Sequence, residues 1–514
     1  MTLEPSNLVG SFTAGQATKL YQTIESDLSP IAVATTNGNY GGVVYSTYTS
    51  ATCKSKHIAT IGCTNLIVQY KMLLAGTVVG TPEVLPGNNV EIKVSLEDSA
   101  GTLIPVYFRG SRLTLLKVGA LLVSDPIGVT LAKDETFYIR TFINRISSSA
   151  YTDNIGEPGN FASNQTNMLY SYNARGITFA NGEGASFSTS TGVDPFLSDL
   201  TDSGTIAASS NVVFAPVAIL GTPTTKTTSS VAIIGDSISA GSGDFTAPNA
   251  VSTNPNVSEW GYGHWVRAFG PAKVAYTRLA QGGEQALEWV TNADVFHRQA
   301  MINNTSAIIA LGTNDIAGAG ATAAQVQSYL TSVVAKLKEY VDNVCVSTIL
   351  PRATSTDGYV TLENQTSTTT SNFSAVKNEV NDWIRAGNLK VPVIDVADLA
   401  ESSRNSNKWT LASILDSGTA SGGSATTVVD ATKSWTTNQW YGYIVTNMAT
   451  GQNGYISSNT ATTLTCSFVT GQFSPVPGVG DAYRITSSYT GDGTHPCPYG
   501  YRKLAEGISV GYFS

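Results

Sequence analysis

Ser230-Val231-Ala232-Ile233-Ile234-Gly235-Asp236-Ser237 is a short apolar run that ends in three small or polar residues. An unbroken apolar run bounded by turn residues reads as a strand buried on both faces, the kind found inside parallel sheets. Four more such runs follow toward the C-terminus. Val274-Ala275-Tyr276 is the weakest, and Ala307–Leu311, Val344–Ile349 and Pro392–Val396 complete the set. Helical patterns lie between them. Ala323 to Tyr340 places Val326, Leu330, Val333, Val334, Leu337 and the adjoining Val341 on one face, and Phe373 to Ala386 is a second amphipathic stretch. Alternating strands and helices predict a parallel sheet covered by helices on both faces, a three-layer α/β/α unit.

The pattern is different on the N-terminal side. From Asn65 to about Arg145 the chain alternates apolar and polar residues at a period of two, as in Leu66–Met72, Val90–Leu96 and Thr136–Phe142. Turn signals such as Pro86-Gly87-Asn88-Asn89 separate these segments. An all-β unit of sandwich or jelly-roll type is therefore expected over residues 1–223, with Gly221–Lys226 as a linker. A third change comes near Ala412. From there to 487 the chain is rich in Thr, Gly and Val, with strand alternation at Tyr443–Thr446 and Thr463–Phe468. The helical pattern resumes only at Tyr499–Ile508. The reading is an α/β unit made of 230–411 and 488–514, interrupted by a small β module at 412–487.

Composition narrows the function classes. The chain has 514 residues, enough at about 100–200 residues per domain for three or four domains. Only 13% of residues are charged while 42% are hydrophobic, and the net charge is -8. That is too apolar for a disordered chain, and the acid balance argues against a nucleic-acid partner. No apolar run reaches the length of a membrane span. Met1-Thr2-Leu3-Glu4-Pro5 carries no signal-peptide pattern. The neutral, hydroxyl-rich composition nevertheless suits an extracellular or virion-associated protein. Cys53, Cys63, Cys345, Cys466 and Cys497 are few and scattered, so buried thiols are expected rather than a Cys53–Cys63 bridge. With four histidines and no metal-ligand spacing, neither a metal nor another cofactor is expected.

Four segments carry chemistry, each on a loop at the same edge of the predicted sheet. Gly235-Asp236-Ser237 follows the first strand, Gln281-Gly282-Gly283-Glu284 the second and Gly312-Thr313-Asn314-Asp315 the third. Asp492-Gly493-Thr494-His495-Pro496 precedes the last helix. The first segment alone would read as a tight strand-to-helix turn with a serine cap. Together the four offer a hydroxyl, a base, an acid to orient the base, and amides to receive negative charge. Asp236 and Asp315 read as turn and cap residues, His264 as a helix-start histidine, His57 and His297 as structural or surface, and Cys497 as packing. Trp260, Tyr262 and Trp265 fit either a sugar platform or a core.

These ordered segments resemble the sequence blocks of the SGNH (GDSL-type) hydrolase superfamily, over about 230–411 and 488–514. The resemblance implies a flavodoxin-like α/β/α domain and a serine ester hydrolase. On it, Ser237 matches the nucleophile, His495 the general base and Asp492 the carboxylate that fixes its tautomer. The Ser237 N–H, the Gly283 N–H and the Asn314 side-chain amide match the oxyanion hole, with Gly282 as the alternative glycine donor. Ile238 stands where many members have leucine. The two β modules point to acetylated carbohydrate, or another short-chain ester, as the substrate. A short-chain lipolytic esterase and a non-catalytic glycan-binding or phage-tail-like structural protein are the other readings.

Overall fold

Successive residues of a strand face opposite ways, and in Ser230–Gly235 each side is sealed by different helices. Val231 and Ile233 pack with Trp265, Phe269 and Leu504, from the helices His264–Phe269 and Pro498–Gly507. Ala232 and Ile234 pack with Trp289, Leu330 and Val380, from Ala286–Thr291, Ala323–Leu337 and Phe373–Arg385. The computed structural model describes residues 50–60, 62–71, 89–117, 120–145, 199–206, 214–224, 230–244, 254–258, 262–291, 302–469 and 471–513, with the backbone of short strands at 32–33, 38–39, 42–45, 168–171 and 184–188.

The central sheet is parallel throughout. Its order is Gly38–Asn39, Ala275–Arg278, Ser230–Gly235, Ser306–Ala310, Asn343–Ser347, Val393–Ile394. In chain order the last five run 2-1-3-4-5, the doubly wound order whose ligand crevice lies at the carboxyl ends of the strands, where the winding reverses. That point falls between the first two strands and the third. The fold is thus the expected three-layer α/β/α arrangement beside an all-β N-terminal region.

Two sequence expectations change at element boundaries. The last strand is only Val393–Ile394, and Val396 instead opens a helix, Val396–Ala400, capped by Asp395, whose carboxylate accepts the Asp398 N–H. The apolar run continued past the strand because the helix buries Val396, Ala397 and Ala400. Gly221–Pro223, read as linker, ends the strand Ala218–Pro223, which pairs with Cys63–Lys71. Its small residues conceal a strand because Gly221 lies against Cys63, leaving no room for a side chain there.

The N-terminal region packs two antiparallel sheets through one core. One holds Ala218–Pro223, Cys63–Lys71 and Ile127–Leu131, and the other Ser50–Ile58, Thr136–Arg145 and Val90–Glu97. Leu66 and Val68 from the first meet Ile92, Val94, Phe137 and Ile139 from the second. Between Ile414 and Thr486 the chain forms a seven-stranded antiparallel sheet with its own core around Val428, Val445, Ile456, Leu464 and Ile485. Its two ends meet at a neck, where Ser487 N–H donates to the Ser413 carbonyl at 3.0 Å and Ser413 N–H to Ser487 Oγ at 2.9 Å.

Lys377, in the helix Phe373–Arg385, and Glu401, just after the helix Val396–Ala400, form an ion pair with no solvent exposure on either side chain. Glu401 also accepts the Asn407 and Asn405 N–H groups at 2.9 and 3.0 Å. Removing one partner of such a pair strands the other charge, at a cost of about 3–5 kcal/mol. Lys377→Ala is therefore expected to lower unfolding stability by that amount in urea titrations, whereas a surface change such as Lys338→Ala should leave it within about 0.5 kcal/mol.

Candidate active site

Ser237 is the first residue of a one-turn helix, Ser237–Ala240, that begins where the strand Ser230–Gly235 stops. Asp236 caps it, accepting the Ile238 N–H at 2.9 Å. The turn is supported from below by Tyr501, whose hydroxyl lies 3.1 Å from the Ile238 carbonyl and 2.8 Å from that of Ser242. Trp265 Nε1–H donates to Ser239 Oγ at 3.2 Å. Trp265 is fully buried, so it belongs to the core and not to a sugar platform. Tyr262 is half-buried, and Trp260 and His297 lie outside the described residues.

His495 reaches Ser237 from the loop before the last helix, with Nε2 2.9 Å from Ser237 Oγ. Its Nδ1 is 2.7 Å from Asp492 Oδ2. A carboxylate at that distance assigns the proton to Nδ1, which leaves Nε2 to accept the serine O–H. The loop is a tight turn. Asp492 Oδ1 accepts the His495 and Thr494 N–H groups, both at 2.8 Å. Gly493 sits at φ 82°, and a Cβ there would stand 2.3 Å from the Ala353 carbonyl oxygen. Only glycine fits. Trp409 Nε1–H holds the Gly493 carbonyl at 3.1 Å, and Arg352 Nε–H holds Thr494 Oγ1 at 3.0 Å.

The other segments line the same edge. Asn314 is in the helix Thr313–Ala317 and spends one amide N–H on the Glu284 carbonyl at 3.0 Å, which ties it to the glycine loop. Its second amide hydrogen has no acceptor among the described residues. Gly283 has φ 82°, whereas Gly282 has no positive φ, so the two glycines present their N–H groups differently. Asp315 locks this corner by accepting the Ala286 and Leu287 N–H groups at 2.8 and 3.2 Å. It is the cap the sequence reading expected, acting on the neighbouring helix Ala286–Thr291.

The structure therefore brings Ser237, His495 and Asp492 into one hydrogen-bonded chain and ties Asn314, through the Glu284 carbonyl, to the loop that carries Gly282 and Gly283. It also shows residues that sequence reasoning passed over: Arg352, Trp409, Tyr455, Thr490 and Tyr501. None lies in a recognisable motif: Thr490 acts within its own loop, and the other four act through contacts made across the fold. His264 does start a helix, but it is buried and neither ring nitrogen has a partner among the described residues. Burial pushes its pKa down to about 3. His57 is buried in the N-terminal core beside Ser55. All five cysteines are free and buried. Cys497 caps the last helix through Sγ, which accepts the Gly500 N–H. No group of metal-ligating side chains occurs among the described residues.

The two aspartates titrate in opposite directions. Burial works against charge on Asp492, but the hydrogen bond and charge of His495 outweigh it and hold the carboxyl below its usual range. Burial pushes Asp236 up to about 6, against the Ile238 N–H and the Thr313 hydroxyl. Both carboxylates lie within the electrostatic reach of Arg352.

The family model described as GDSL-like lipase/acylhydrolase matches residues 231–508, more than half of the chain. Among solved structures, a Bacteroides fragilis protein assigned to the acylhydrolases is 22% identical over 36% of this chain and 74% of its own, with a TM-score of 0.23. A lipolytic protein of the G-D-S-L family from Veillonella parvula is 18% identical over 33% and 79%, with a TM-score of 0.22. An acetyl-xylooligosaccharide esterase from Geobacillus is 14% identical over 33% and 77%, with a TM-score of 0.22. No curated protein matches the chain in sequence.

Asp236 makes stability depend on pH in a checkable way. A carboxyl whose folded pKa is raised is disfavoured as an anion in the folded state, so its contribution is lost as pH rises from the unfolded pKa to about 6. The loss is roughly 3 kcal/mol, at about 1.4 kcal/mol per tenfold change in proton affinity. Asp236→Asn keeps an acceptor for the Ile238 N–H and removes the titration. The stability difference between variant and wild type should therefore grow in favour of the variant between pH about 4 and about 6 in urea unfolding. A difference independent of pH would show that Asp236 does not titrate there.

Proposed function

The chain belongs to the GDSL-like lipase/acylhydrolase family, whose members are ester hydrolases, and from that premise we propose that it removes acetyl or other short acyl groups from carbohydrate esters through an acyl-enzyme on Ser237. The observation that carries this reading is the run from Asp492 through His495 to Ser237 Oγ, with links of 2.7 and 2.9 Å.

In the first step His495 Nε2 takes the Ser237 proton while Oγ attacks the ester carbonyl. Asp492 holds the imidazole in the tautomer that can accept this proton, and stabilises the imidazolium that results. Negative charge builds on the carbonyl oxygen, where the Ser237 N–H, the Gly283 N–H and the second Asn314 amide hydrogen receive it. The tetrahedral intermediate collapses as His495 returns the proton to the departing alcohol. Water then attacks the acyl-serine by the same route, with His495 again as the base, and the free acid leaves. The chain supplies each of these groups itself, so the proposal invokes no cofactor.

Support for a short acyl group on a carbohydrate comes from the surroundings of the site. Arg352 and Thr494 are polar neighbours of the hydrogen-bonded chain, and the Asn314 amide is anchored on the glycine loop. The antiparallel sheet of residues 414–486 touches the His495 loop directly, through Tyr455. A module rich in Thr and Ser beside the base suits a hydrated alcohol better than a lipid chain.

Ser237→Ala should abolish acetate release from an acetylated polysaccharide and hydrolysis of p-nitrophenyl acetate, and binding that persists without any wild-type turnover would favour a non-catalytic glycan binder. Asn314→Ala should lower kcat by roughly 10²–10³ while the protein stays folded; unchanged turnover would remove Asn314 from the oxyanion hole. Wild-type rates should fall from p-nitrophenyl acetate to octanoate, and the reverse order would make the protein a lipolytic esterase.

A further inference from the structure

The loop that carries Asp492 and His495 has two hydroxyl ties, and one of them comes from outside the α/β unit. Thr490 supplies the local tie. Its Oγ1 lies 2.8 Å from the His495 carbonyl oxygen and accepts the Gly493 N–H at 3.0 Å. Tyr455, in the strand Gln452–Asn459 of the inserted sheet, supplies the other. Its hydroxyl accepts the Asp492 N–H at 3.1 Å and donates to the His495 carbonyl at 3.2 Å. One phenol thus grips the backbone of both residues.

The tyrosine is itself held in place. Its side chain is 2% exposed and packs with Ile444 of its own sheet and Cys497 of the last helix. The sheet is fastened around it at separate points. Asn256 Nδ2–H donates to the Tyr441 carbonyl at 2.9 Å, Tyr499 N–H to the Gly442 carbonyl at 3.1 Å, and Asn453 Nδ2–H to the Ser355 carbonyl at 3.3 Å.

We propose that the inserted sheet is a working part of the catalytic site, with Tyr455 as a positioning residue that sets His495 at proton-transfer distance from Ser237. The proposal rests on the assignment of those two residues as base and nucleophile. Without the hydroxyl, the part-buried Asp492 N–H has no partner among the described residues, and a donor left unpaired there carries a desolvation cost that a shift of the loop relieves. The cost falls on turnover. The hydroxyl is occupied by backbone groups of the loop, so its loss moves the base without changing what the substrate touches.

The test is steady-state kinetics on p-nitrophenyl acetate with three variants, each checked for folding by circular dichroism. Tyr455→Phe should lower kcat by about 10–100-fold with KM held within about twofold, since a misplacement of about 1 Å at a reacting group can cost about 10²-fold. Gly491→Ala reaches the same place by another route, because its Cβ would stand 2.9 Å from the Tyr455 ring; it should lower kcat in the same direction and decides the matter if Tyr455→Phe does not fold. Tyr483→Phe is the control. It removes another buried hydroxyl of the same sheet, one that donates to Asp430 at 2.8 Å away from the loop, and should keep wild-type kcat. Wild-type kcat in Tyr455→Phe, or an equal loss in Tyr483→Phe, would overturn the proposal. A wild type inert toward esters, or Ser237→Ala as active as wild type, would overturn the nucleophile assignment instead.

Discussion

The hydrogen bond between His495 Nε2 and Ser237 Oγ joins two loops 258 residues apart in sequence. A contact of that separation closes only if something rigid carries both ends. Here the parallel sheet does so. Its strands all run the same way, so the turns after Ser230–Gly235 and Ser306–Ala310 emerge at one edge. The last helix packs under that edge, and Tyr501 ties it to the nucleophile turn. The strand Ser230–Gly235 is buried on both faces by the alternation of Val231 and Ile233 against Ala232 and Ile234. Burial of this kind is the largest favourable contribution to a fold, and in this chain it also sets the reach between base and nucleophile.

The insertion between 412 and 487 obeys the same constraint. Its ends meet at Ser413 and Ser487, so the α/β chain resumes about where it left off. The entropy of closing a long loop grows only slowly with its length, and a module with its own core adds little strain at such a neck. What the insertion gains by position is access to the His495 loop. A sheet fastened at Asn256, Ser355 and Tyr499 can deliver a single hydroxyl to a turn of four residues.

Three carboxylates of the α/β unit hold backbone in place. Asp315 accepts two backbone N–H groups, Asp492 accepts two more besides the imidazole, and Glu401 takes Lys377 along with two backbone donors. Each pins a loop end that side-chain packing alone would leave free to shift. His264 is different, buried with neither ring nitrogen paired among the described residues. Its pKa of about 3 keeps it neutral, so the cost of burying it is that of a polar group and not of a charge.

The amino-acid sequence by itself determined the strands, the helices and the four loop segments, because periodicity and turn chemistry are local properties. Val326, Leu330, Val333 and Leu337 announce a buried helix face whatever they pack against, and Gly493 belongs to a short segment whose spacing is visible in one line of text. The same locality misread Gly221–Pro223 and Val396, where composition suited two structures and only the neighbouring elements chose between them. It left Trp265 open between core and surface, which depended on what lay behind the nucleophile helix. Tyr455 carries no local signal at all: it is one aromatic residue in a strand of an inserted sheet, and its partners are the backbone of a loop 37 and 40 residues away. Tertiary structure decided that contact because hydrogen bonds to backbone depend on where the main chain passes and not on which side chains it bears. The sequence could therefore name the residues suited to the chemistry, while the packing of one module against another decided what holds them at their working distance.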